Sequence, residues 1–476
     1  MNLYFRTFFM LLSIVLIISA LNFEQLNIAY IAVLFIFIHN LIYATYNLEA
    51  KIIFLLFHFT FFTFLISRII LTLSQGMVYE PFSNNTTNLH IGLSLYLSLL
   101  GVYIGFEIIT YFKKNIKKKV NTDNKNTKFN RDYTYKIRKI SLVLMWIAFC
   151  AVLLREIETL IIMRETSYTE LRIAYNSSLP SILIRIANMY FLFFCIYLAT
   201  LPSKREVFFP FIGFLALGVI VLLYGVRGDF VLNILFTVFY FYLRNHLYSN
   251  NQKWFGKRET IILIVSIPII LFSMNYIGEI RYSNDYEVST DENEIIESFF
   301  YNQGVSVDII GYVREYEESF PENGVYSFDR TLHFLKNNAF SKAIFNTEEF
   351  RAHTLERAIY GNSLGQTLSY LVYPESYFRG VGMGSSYIAE LYKDFGYSGL
   401  IILNIFYGVM MAIIVPHKTR NIWIITCSLL LIQGLFYAPR SSFDGFVSNI
   451  ISFPNLAGIL IVIVLSKINI NYRRDH

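Results

Sequence analysis

The residues best suited to chemistry lie in one segment, RGVGMGSSYIAELYKDFGYSGL, at positions 379–400. Arg379 is followed by alternating glycines, at Gly380, Gly382 and Gly384. Because glycine has no side chain, the backbone amides of this turn can approach a ligand closely. Ser385 or Ser386 can then cap a helix, and a glycine-rich turn that opens a helix favours an anion. The pattern predicts an anion site, for a group such as phosphate, at this turn.

The helix that follows this turn carries two carboxylates. Tyr387, Glu390 and Asp394 share one face of it through their i, i+3 and i+4 spacing, and Gly396 is expected to end it. Carboxylates beside an anion site suit glycosyl transfer from a phosphate donor. One group binds the leaving phosphate, and the other orients or deprotonates the acceptor hydroxyl. The alternative is a capped helix at the membrane surface whose carboxylates contact water or arginine.

Four arginines are candidates for binding a phosphate group. Each lies in or beside a short turn next to an apolar segment: Arg227 in YGVRGDF, Arg281 in IGEIRYS, Arg379 before the glycines and Arg440 in YAPRSSFDGF. The guanidinium is a planar fork whose N–H groups bind phosphate or carboxylate in pairs. These residues predict a site for pyrophosphate or sugar. The more common alternative is that such arginines pair with carboxylates of their own chain.

One histidine is a further candidate, and no metal motif accompanies it. His353 lies between Arg351 and Arg357 in FRAHTLER, where it can serve as a general base or contact a sugar. The three cysteines lie far apart in apolar blocks, without CxxC or metal-ligand spacing: Cys150, Cys195 and Cys427. The chain also contains no DxD motif. We expect no cofactor, no metal and no nucleic-acid partner.

Long apolar blocks must position these residues. Of the 476 residues, 55% are hydrophobic and 16% are charged, whereas soluble proteins are about 25% charged. Blocks of ~20 apolar residues match the ~30 Å hydrocarbon core of a bilayer, in which helices satisfy their own backbone groups. Twelve segments qualify, at 3–20, 27–46, 52–74, 90–112, 140–162, 181–201, 207–225, 229–247, 260–280, 396–415, 421–438 and 446–466. The prediction is an all-α polytopic membrane protein with about twelve transmembrane helices.

The basic residues orient this bundle, because Lys and Arg accumulate in cytoplasmic loops. Loop 113–139 holds eleven Lys and Arg against two Asp, and loop 244–258 and the C-terminal tail are also basic. Twelve spans put all three on one side, with both termini in the cytoplasm. Three regions follow: 1–280 with helices 1–9, 281–395 as a large extracytoplasmic helical loop, and 396–476 with helices 10–12 and the basic tail.

Lysine and arginine are distributed differently between the two predicted sides of the membrane. In loop 113–139 nine of the eleven basic residues are Lys, whereas on the predicted exported side they are mostly Arg. A general preference for one residue type would affect both sides equally. Arg keeps its charge when it is partly desolvated and binds phosphate in paired hydrogen bonds. The contrast therefore indicates an anionic ligand, such as a lipid-linked pyrophosphate, at the exported surface.

The sequence resembles the Wzy-type polymerases of O-antigen and capsular polysaccharide. The resemblance rests on the twelve-span layout with a large exported loop before the last three spans, and on Arg227 in GVRGDF. It also rests on GMGSSYIAELYKDFGYSG, at 382–399, which is similar to the family's small-residue turn followed by Glu-x-Tyr-x-x-Phe-Gly. The resemblance implies joining of oligosaccharide repeat units carried on undecaprenyl pyrophosphate, at the outer face of the bacterial cytoplasmic membrane. It implies neither a nucleotide sugar nor a metal.

The hypothesis for the reaction is direct displacement at the anomeric carbon, with inversion. The donor pyrophosphate is held by Arg227, Arg281 and Arg440. The acceptor is held by Arg379 and the turn, with the remaining predicted substrate contacts at Gly382, Gly384, Ser385 and Tyr387. Glu390 or Asp394 orients or deprotonates the acceptor hydroxyl, with His353 as a third candidate. The resemblance does not identify the base.

Three alternatives remain at this point. An O-antigen ligase has a similar topology and the same donor, but its acceptor is a lipid core sugar. A flippase for the same lipid-linked oligosaccharide also suits twelve spans, although transporters usually carry repeated halves and polar groups near the bilayer midplane. A membrane scaffold without chemistry is the third. The expected partners are the lipid-linked oligosaccharide, the bilayer, a chain-length regulator and a flippase.

Overall fold

The chain is predominantly helical in the part that the structure, a computed structural model, describes. The described residues are 2–119, 131–165, 177–247, 254–256, 259, 261, 292–322, 324–336, 350–414 and 421–468. Within these ranges no strand occurs. The prediction of an all-α polytopic membrane protein is confirmed.

The helices fall into three groups along the chain. The first group is α1 (Asn2–Phe23), α2 (Leu26–Thr45), α3 (Leu48–Phe61), α4 (Ser67–Ser74), α5 (Asn85–Lys119), α6 (Arg131–Glu165), α7 (Ser181–Asn188), α8 (Tyr190–Ala199), α9 (Lys204–Leu223) and α10 (Arg227–Leu247). The second is α11 (Glu292–Gln303), α12 (Ser306–Glu315), α13 (Asp329–Lys336), α14 (Leu355–Tyr360), α15 (Leu364–Val372) and α16 (Pro374–Phe378). The third is α17 (Tyr387–Ile414), α18 (Ile422–Tyr437) and α19 (Phe453–Ile468). We call the described residues of 292–386 the cap.

Nine helical segments of the described chain are long and apolar enough to cross a membrane. They correspond to nine of the twelve predicted spans. Of the other three, the segment 229–247 is helical in α10 but carries charges at both ends, and α19 is apolar but only 16 residues long. The segment 260–280 lies almost wholly outside the described residues. The number twelve therefore stays a prediction.

Two breaks interrupt the long helices. A π-helical turn, Phe62–Ile66, joins α3 to α4, and such turns are often found at functional sites. In α17, Gly396 has φ 61° and ψ −163°, which only glycine adopts readily, so the helix bends there. The prediction that Gly396 ends the first helical stretch is confirmed. Beyond this break the tenth span continues to Ile414, close to the predicted bounds of 396–415.

Helices α5 and α17 pack at backbone distance. A Cβ atom on Gly101 would lie 2.8 Å from Cβ of Asn404. A Cβ atom on Gly105 would overlap the carbonyl of Ile405, and one on Gly408 would overlap the carbonyl of Val102. Small residues spaced in this way let two membrane helices approach at backbone distance. This contact fixes the helix that carries the predicted carboxylates.

Replacing Gly105 by valine should therefore separate α5 from α17. We expect the free energy of unfolding to fall by about 1–3 kcal/mol, because the packed helices have no room for the added atoms. Thermal unfolding of the purified protein in detergent measures this. Ile108→Leu, a change at a 41% exposed position on the same helix, serves as the control and should leave the unfolding temperature unchanged. Equal unfolding temperatures for the two variants would contradict the packing argument.

The cap is fastened to the spans through α11 and α12. The Ser67 hydroxyl donates to the carbonyl of Phe300 (2.9 Å), and Arg68 forms a 2.5 Å ion pair with Asp308. The Tyr79 hydroxyl donates to the same carboxylate. Burial raises the pKa of Asp308, while Tyr79 and Arg68 lower it. These bonds join the cap to the end of the bundle at which α4 stops and α5 begins.

Candidate functional site

The glycine turn, residues 379–386, is exposed on the cap, and α15 holds it from the inner side. Arg379, Gly382 and Gly384 are exposed, and Gly384 has a φ of 83° that favours glycine. The amide of Met383 donates to the hydroxyl of Ser369 on α15 (2.9 Å). The turn is thus ordered by α15 while its outer side stays open to a ligand.

His353 lies directly under this turn. A Cβ atom built on Gly382 would be 3.8 Å from Cε1 of the imidazole. The backbone of His353 has a φ of 61°, a strained value for a residue other than glycine. Its amide donates to Oε1 of Gln366 (2.9 Å), and its Nδ1 lies 2.9 Å from the carbonyl oxygen of Tyr377. Since a carbonyl only accepts, Nδ1 carries the proton and Nε2 is the basic nitrogen of the neutral ring.

Tyr377 completes the support of this histidine. Its hydroxyl lies 3.0 Å from Oε1 of Gln366 and 2.9 Å from the carbonyl oxygen of Thr354. Burial raises the pKa of Tyr377 to about 12, so the hydroxyl stays a donor at neutral pH. Gln366 therefore accepts from the His353 amide, and the single proton of the Tyr377 hydroxyl lies between Gln366 and the Thr354 carbonyl. These contacts hold the imidazole in a single orientation.

The two serines after the glycines do not cap the helix as expected. The Ser385 hydroxyl donates to Oε1 of Glu390 (2.6 Å). The Ser386 hydroxyl is buried without a hydrogen-bond partner among the described residues. Tyr387 points into the bundle, where its hydroxyl donates to Oδ1 of Asn404 (2.9 Å). A capping serine would accept from backbone amides of the first helical turn, whereas the Ser385 hydroxyl donates to the carboxylate of Glu390.

Glu390 joins the glycine turn to the turn that follows α18. It is 1% exposed. Its Oε1 accepts from Ser385, one residue after Gly384, and its Oε2 accepts from the amide of Phe443 (2.7 Å). Phe443 is three residues after Arg440 in the sequence. The glycine turn and the Arg440 turn are therefore neighbours held together by one carboxylate.

Two aspartates hold the loop that enters α13. Asp394 accepts from the amides of Tyr326 (2.9 Å) and Ser327 (2.7 Å). Asp444 accepts from the amides of Arg330 (3.3 Å) and Thr331 (2.7 Å) at the beginning of α13. Burial raises the pKa of Asp444, and these hydrogen bonds oppose the rise. Both carboxylates connect the cap to the helices beneath it.

Asp394→Ala should destabilise this connection. Two amides would lose their acceptor, and an unsatisfied buried donor costs about 1–3 kcal/mol. We expect a lower unfolding temperature and faster proteolysis near residue 326. Asp394→Asn keeps one acceptor oxygen at the same place and should lose less. If alanine and asparagine behaved like the native residue in both measurements, Asp394 would have no such structural role.

Arg440 lies at the end of the short helical turn Ala438–Arg440. Its Nη1 donates to the backbone carbonyl and to Oε1 of Gln303, each at 3.2 Å, and its Cζ lies 5.5 Å from the centre of the Phe64 ring. Its hydrogen bonds in the described structure go to neutral groups, so no carboxylate neutralises its charge. Phe64 belongs to the π-helical turn. Arg440 is thus positioned where α11, the π-turn and α18 meet.

Arg227 lies in the same neighbourhood. It is the first residue of α10, and a Cβ atom on Gly228 would be 3.4 Å from the ring of Tyr437. Tyr437 in turn contacts Phe64 with ring centroids 6.0 Å apart. The structure therefore brings the turns of Arg227 and Arg440 together around two aromatic rings. Arg281 lies outside the described residues.

The arginines of the cap and its neighbourhood separate into two classes. Four form ion pairs with carboxylates: Arg68 with Asp308, Arg155 with Glu156, Arg314 with Glu317 and Arg357 with Asp329. Within the described ranges, Arg330, Arg379 and Arg440 form no ion pair. The expectation that such arginines pair with their own carboxylates holds for the first class only. The second class is available for an anionic ligand.

The sequence did not single out several residues that build this site. Gln303 orients Arg440, Gln366 orients His353, and Asp444 holds α13. Glutamine gives no signal in a sequence, because its role depends on a distant partner. Asp444 lies in the RSSFDGF motif, four residues after Arg440, and that proximity was a usable signal. In the part of the chain that is described, no group of three or more His, Cys, Asp or Glu side chains is arranged to hold a metal.

Comparison with known proteins identifies the family of the chain. A family model described as O-antigen polysaccharide polymerase Wzy matches residues 4–473. Neither a protein of curated function nor a solved structure matches the chain.

Proposed function

Because this match extends over nearly the whole chain, the chain belongs to the O-antigen polysaccharide polymerase Wzy family, and we propose that it uses a polyprenyl-pyrophosphate donor and no metal. The protein joins lipid-linked oligosaccharide repeat units in the membrane. The observation that best supports the chemistry is the link through Glu390. It brings an exposed glycine turn, which His353 contacts, next to a turn whose arginine has no carboxylate partner among the described residues.

The donor site is proposed at Arg440 and Arg227. A diphosphate leaving group gains negative charge as the bond to the anomeric carbon breaks, and guanidinium groups stabilise that charge. Arg440 has a fixed position through Gln303 and carries an uncompensated charge in the described structure. Arg281 is proposed as a third contact on the basis of its sequence position alone.

The acceptor site is proposed at Arg379 and the exposed turn of Gly382 and Gly384, with Ser385 at its end. The acceptor hydroxyl attacks the anomeric carbon of the donor sugar from the face opposite the pyrophosphate. A carbon–oxygen bond forms, the bond to pyrophosphate breaks, and its electron pair leaves on the phosphate oxygen. The hydroxyl proton passes to a base. This order of events inverts the configuration at the anomeric carbon.

We assign the base to His353, among the three candidates that the sequence suggested. Its Nε2 is the basic nitrogen of a ring that is oriented by the Tyr377 carbonyl and lies beneath Gly382. Both oxygens of Glu390 already accept hydrogen bonds, and those of Asp394 accept from two amides. We therefore propose that Glu390 positions the glycine turn and the Arg440 turn, and that Asp394 positions the loop that enters α13. Tyr387 is proposed to fix the start of α17 through Asn404.

The remaining proposals concern orientation and partners. The Lys-rich loop 113–139 supports a cytoplasmic location for that side of the bundle and for both termini. The cap then faces outward from the bacterial cytoplasmic membrane. A chain-length regulator and a flippase are proposed partners, since lipid-linked units must be delivered to that face and the polymer must be limited in length.

Incubation of the purified protein with synthetic undecaprenyl-pyrophosphate repeat units tests the proposal. We expect a ladder of products, formed equally well in the presence of a metal chelator. A product series that required a divalent cation would overturn metal independence. Transfer only to a lipid core sugar, with no ladder, would indicate a ligase instead.

A further inference from the structure

A pocket with a volume of about 210 Å³ opens between α13 and the segment that leads into α19. It lies apart from the glycine turn and from Gln303, and the assignments above do not use it. Its lining includes Arg330, His333, Phe334, Ser448, Ile451 and Phe453. Cationic and hydroxyl groups therefore share one small space with apolar and aromatic side chains. This combination suits a ligand that has both an anionic and an apolar part.

Arg330 gives the pocket its charge. The side chain is exposed, and within the described residues its guanidinium forms neither a hydrogen bond nor an ion pair. Two carboxylates close in sequence or contact are engaged elsewhere. Asp329 pairs with Arg357 at 3.4 Å, and Asp444 accepts from backbone amides of α13. Among the described residues, therefore, no carboxylate neutralises the positive charge of the pocket.

The pocket borders the surface that faces lipid. Phe453 lines it and is 57% exposed, and Leu456 and Leu460 continue an exposed apolar surface along α19. The pocket lies at the N-terminal end of α19, beside the charged side chain of Arg330. Because an arginine at the end of an apolar helix is expected at the interface, the pocket is expected close to the boundary between hydrocarbon and headgroups. An isoprenoid chain could lie along α19 while its headgroup reached Arg330.

We propose that this pocket binds the pyrophosphate of the acceptor's polyprenyl carrier, a site separate from that of the donor. The inference rests on the proposed function, in which two lipid-linked molecules meet and two pyrophosphates must be held. Arg440 accounts for one of them. The backbone amide of Arg330 donates to Asp444, which lies four residues after Arg440, so the pocket adjoins the turn that carries Arg440. The ion pair of Arg357 with Asp329 joins α13 to α14, which begins two residues after His353. One acceptor would thus have its carrier at α13 and its sugar at the glycine turn.

The test compares two acceptors with the donor kept constant. One is the repeat unit on undecaprenyl pyrophosphate, and the other is the same repeat unit on a neutral alkyl group. In the native protein we expect the KM for the neutral acceptor to be at least about tenfold higher, the size of one charge-assisted contact. In Arg330→Gln the KM for the pyrophosphate acceptor should rise by a similar factor, and the two acceptors should become nearly equal. Arg330→Lys should retain part of the preference.

Controls separate this inference from the proposed function. Arg351→Gln removes the same charge at an exposed position of the cap and should keep the native preference. Inorganic pyrophosphate should compete weakly and undecaprenyl pyrophosphate strongly, because only the latter has the chain that lies along α19. If Arg330→Gln discriminated between the acceptors as well as the native protein, the pocket would not be the carrier site, although polymer would still form. If the native protein made no polymer from either acceptor, the proposed function itself would fail.

Discussion

Arg440→Gln should lower the rate of polymer formation by ~10²–10³-fold, which is the usual effect of removing one preorganised electrostatic contact from a transition state. Arg440 is fixed by Gln303 and lies over the ring of Phe64, so its charge needs no reorganisation when the leaving pyrophosphate becomes more negative. Glutamine keeps most of the volume and loses the charge. The effect should therefore appear in kcat and only weakly in the unfolding temperature.

Arg440→Lys separates charge from geometry. Lysine is a point charge that cannot form two parallel bonds to one phosphate, so it should recover only part of the rate. Arg227→Lys should have a similar effect, since its turn contacts Tyr437 beside the same ring. Arg185→Gln, at an exposed position on α7, is the charge control. Full-length polymer at normal rates from both lysine variants, expressed at native levels, would remove Arg440 and Arg227 from the donor site.

The fold could largely be predicted from the sequence because its main determinants are local. Blocks of apolar residues must form helices in a bilayer, because a helix satisfies its own backbone hydrogen bonds. Gly396 breaks a helix through its own backbone conformation, which does not depend on what the helix packs against. The helix that begins at Tyr387 breaks at Gly396, where the backbone leaves helical geometry, and the tenth span continues beyond that kink. The π-helical turn Phe62–Ile66 lies inside a continuous apolar block that gives no signal distinguishing it from an α-helix, so it was not predicted.

The candidate site was only partly predictable because its contacts join distant segments. The glycine turn and Arg440 were identified from their local pattern, and the structure makes them neighbours. The role of Glu390 could not be predicted from its position on the helix. Its partners are Ser385 and the amide of Phe443, which lies 53 residues later in the sequence. The same is true of Gln303, 137 residues before Arg440. A residue type indicates which bond can form, whereas packing decides which bond does form.

Loss of His353 should have the largest effect on the chemical step. A positioned general base contributes ~10²–10⁴-fold to a rate, so His353→Asn and His353→Gly should both lower kcat by that factor and leave the acceptor KM nearly unchanged. Asparagine and glycine are suitable replacements because both tolerate the φ of 61° found here. The backbone strain that a larger residue would add is thereby avoided. Purification yield and unfolding temperature should stay close to native for both.

Added imidazole distinguishes a base from a structural residue. In His353→Gly the space beneath Gly382 is vacated, and free imidazole should restore part of the rate in proportion to its concentration. In His353→Asn the side chain occupies that space, so imidazole should have no effect. A residue that only supported the glycine turn would give no rescue in either variant, because a diffusing imidazole cannot replace the bond between the His353 amide and Gln366 or order the backbone. Rescue confined to the glycine variant would therefore assign proton transfer to the imidazole itself, and absence of rescue together with a raised acceptor KM would return the role of base to Glu390 or Asp394.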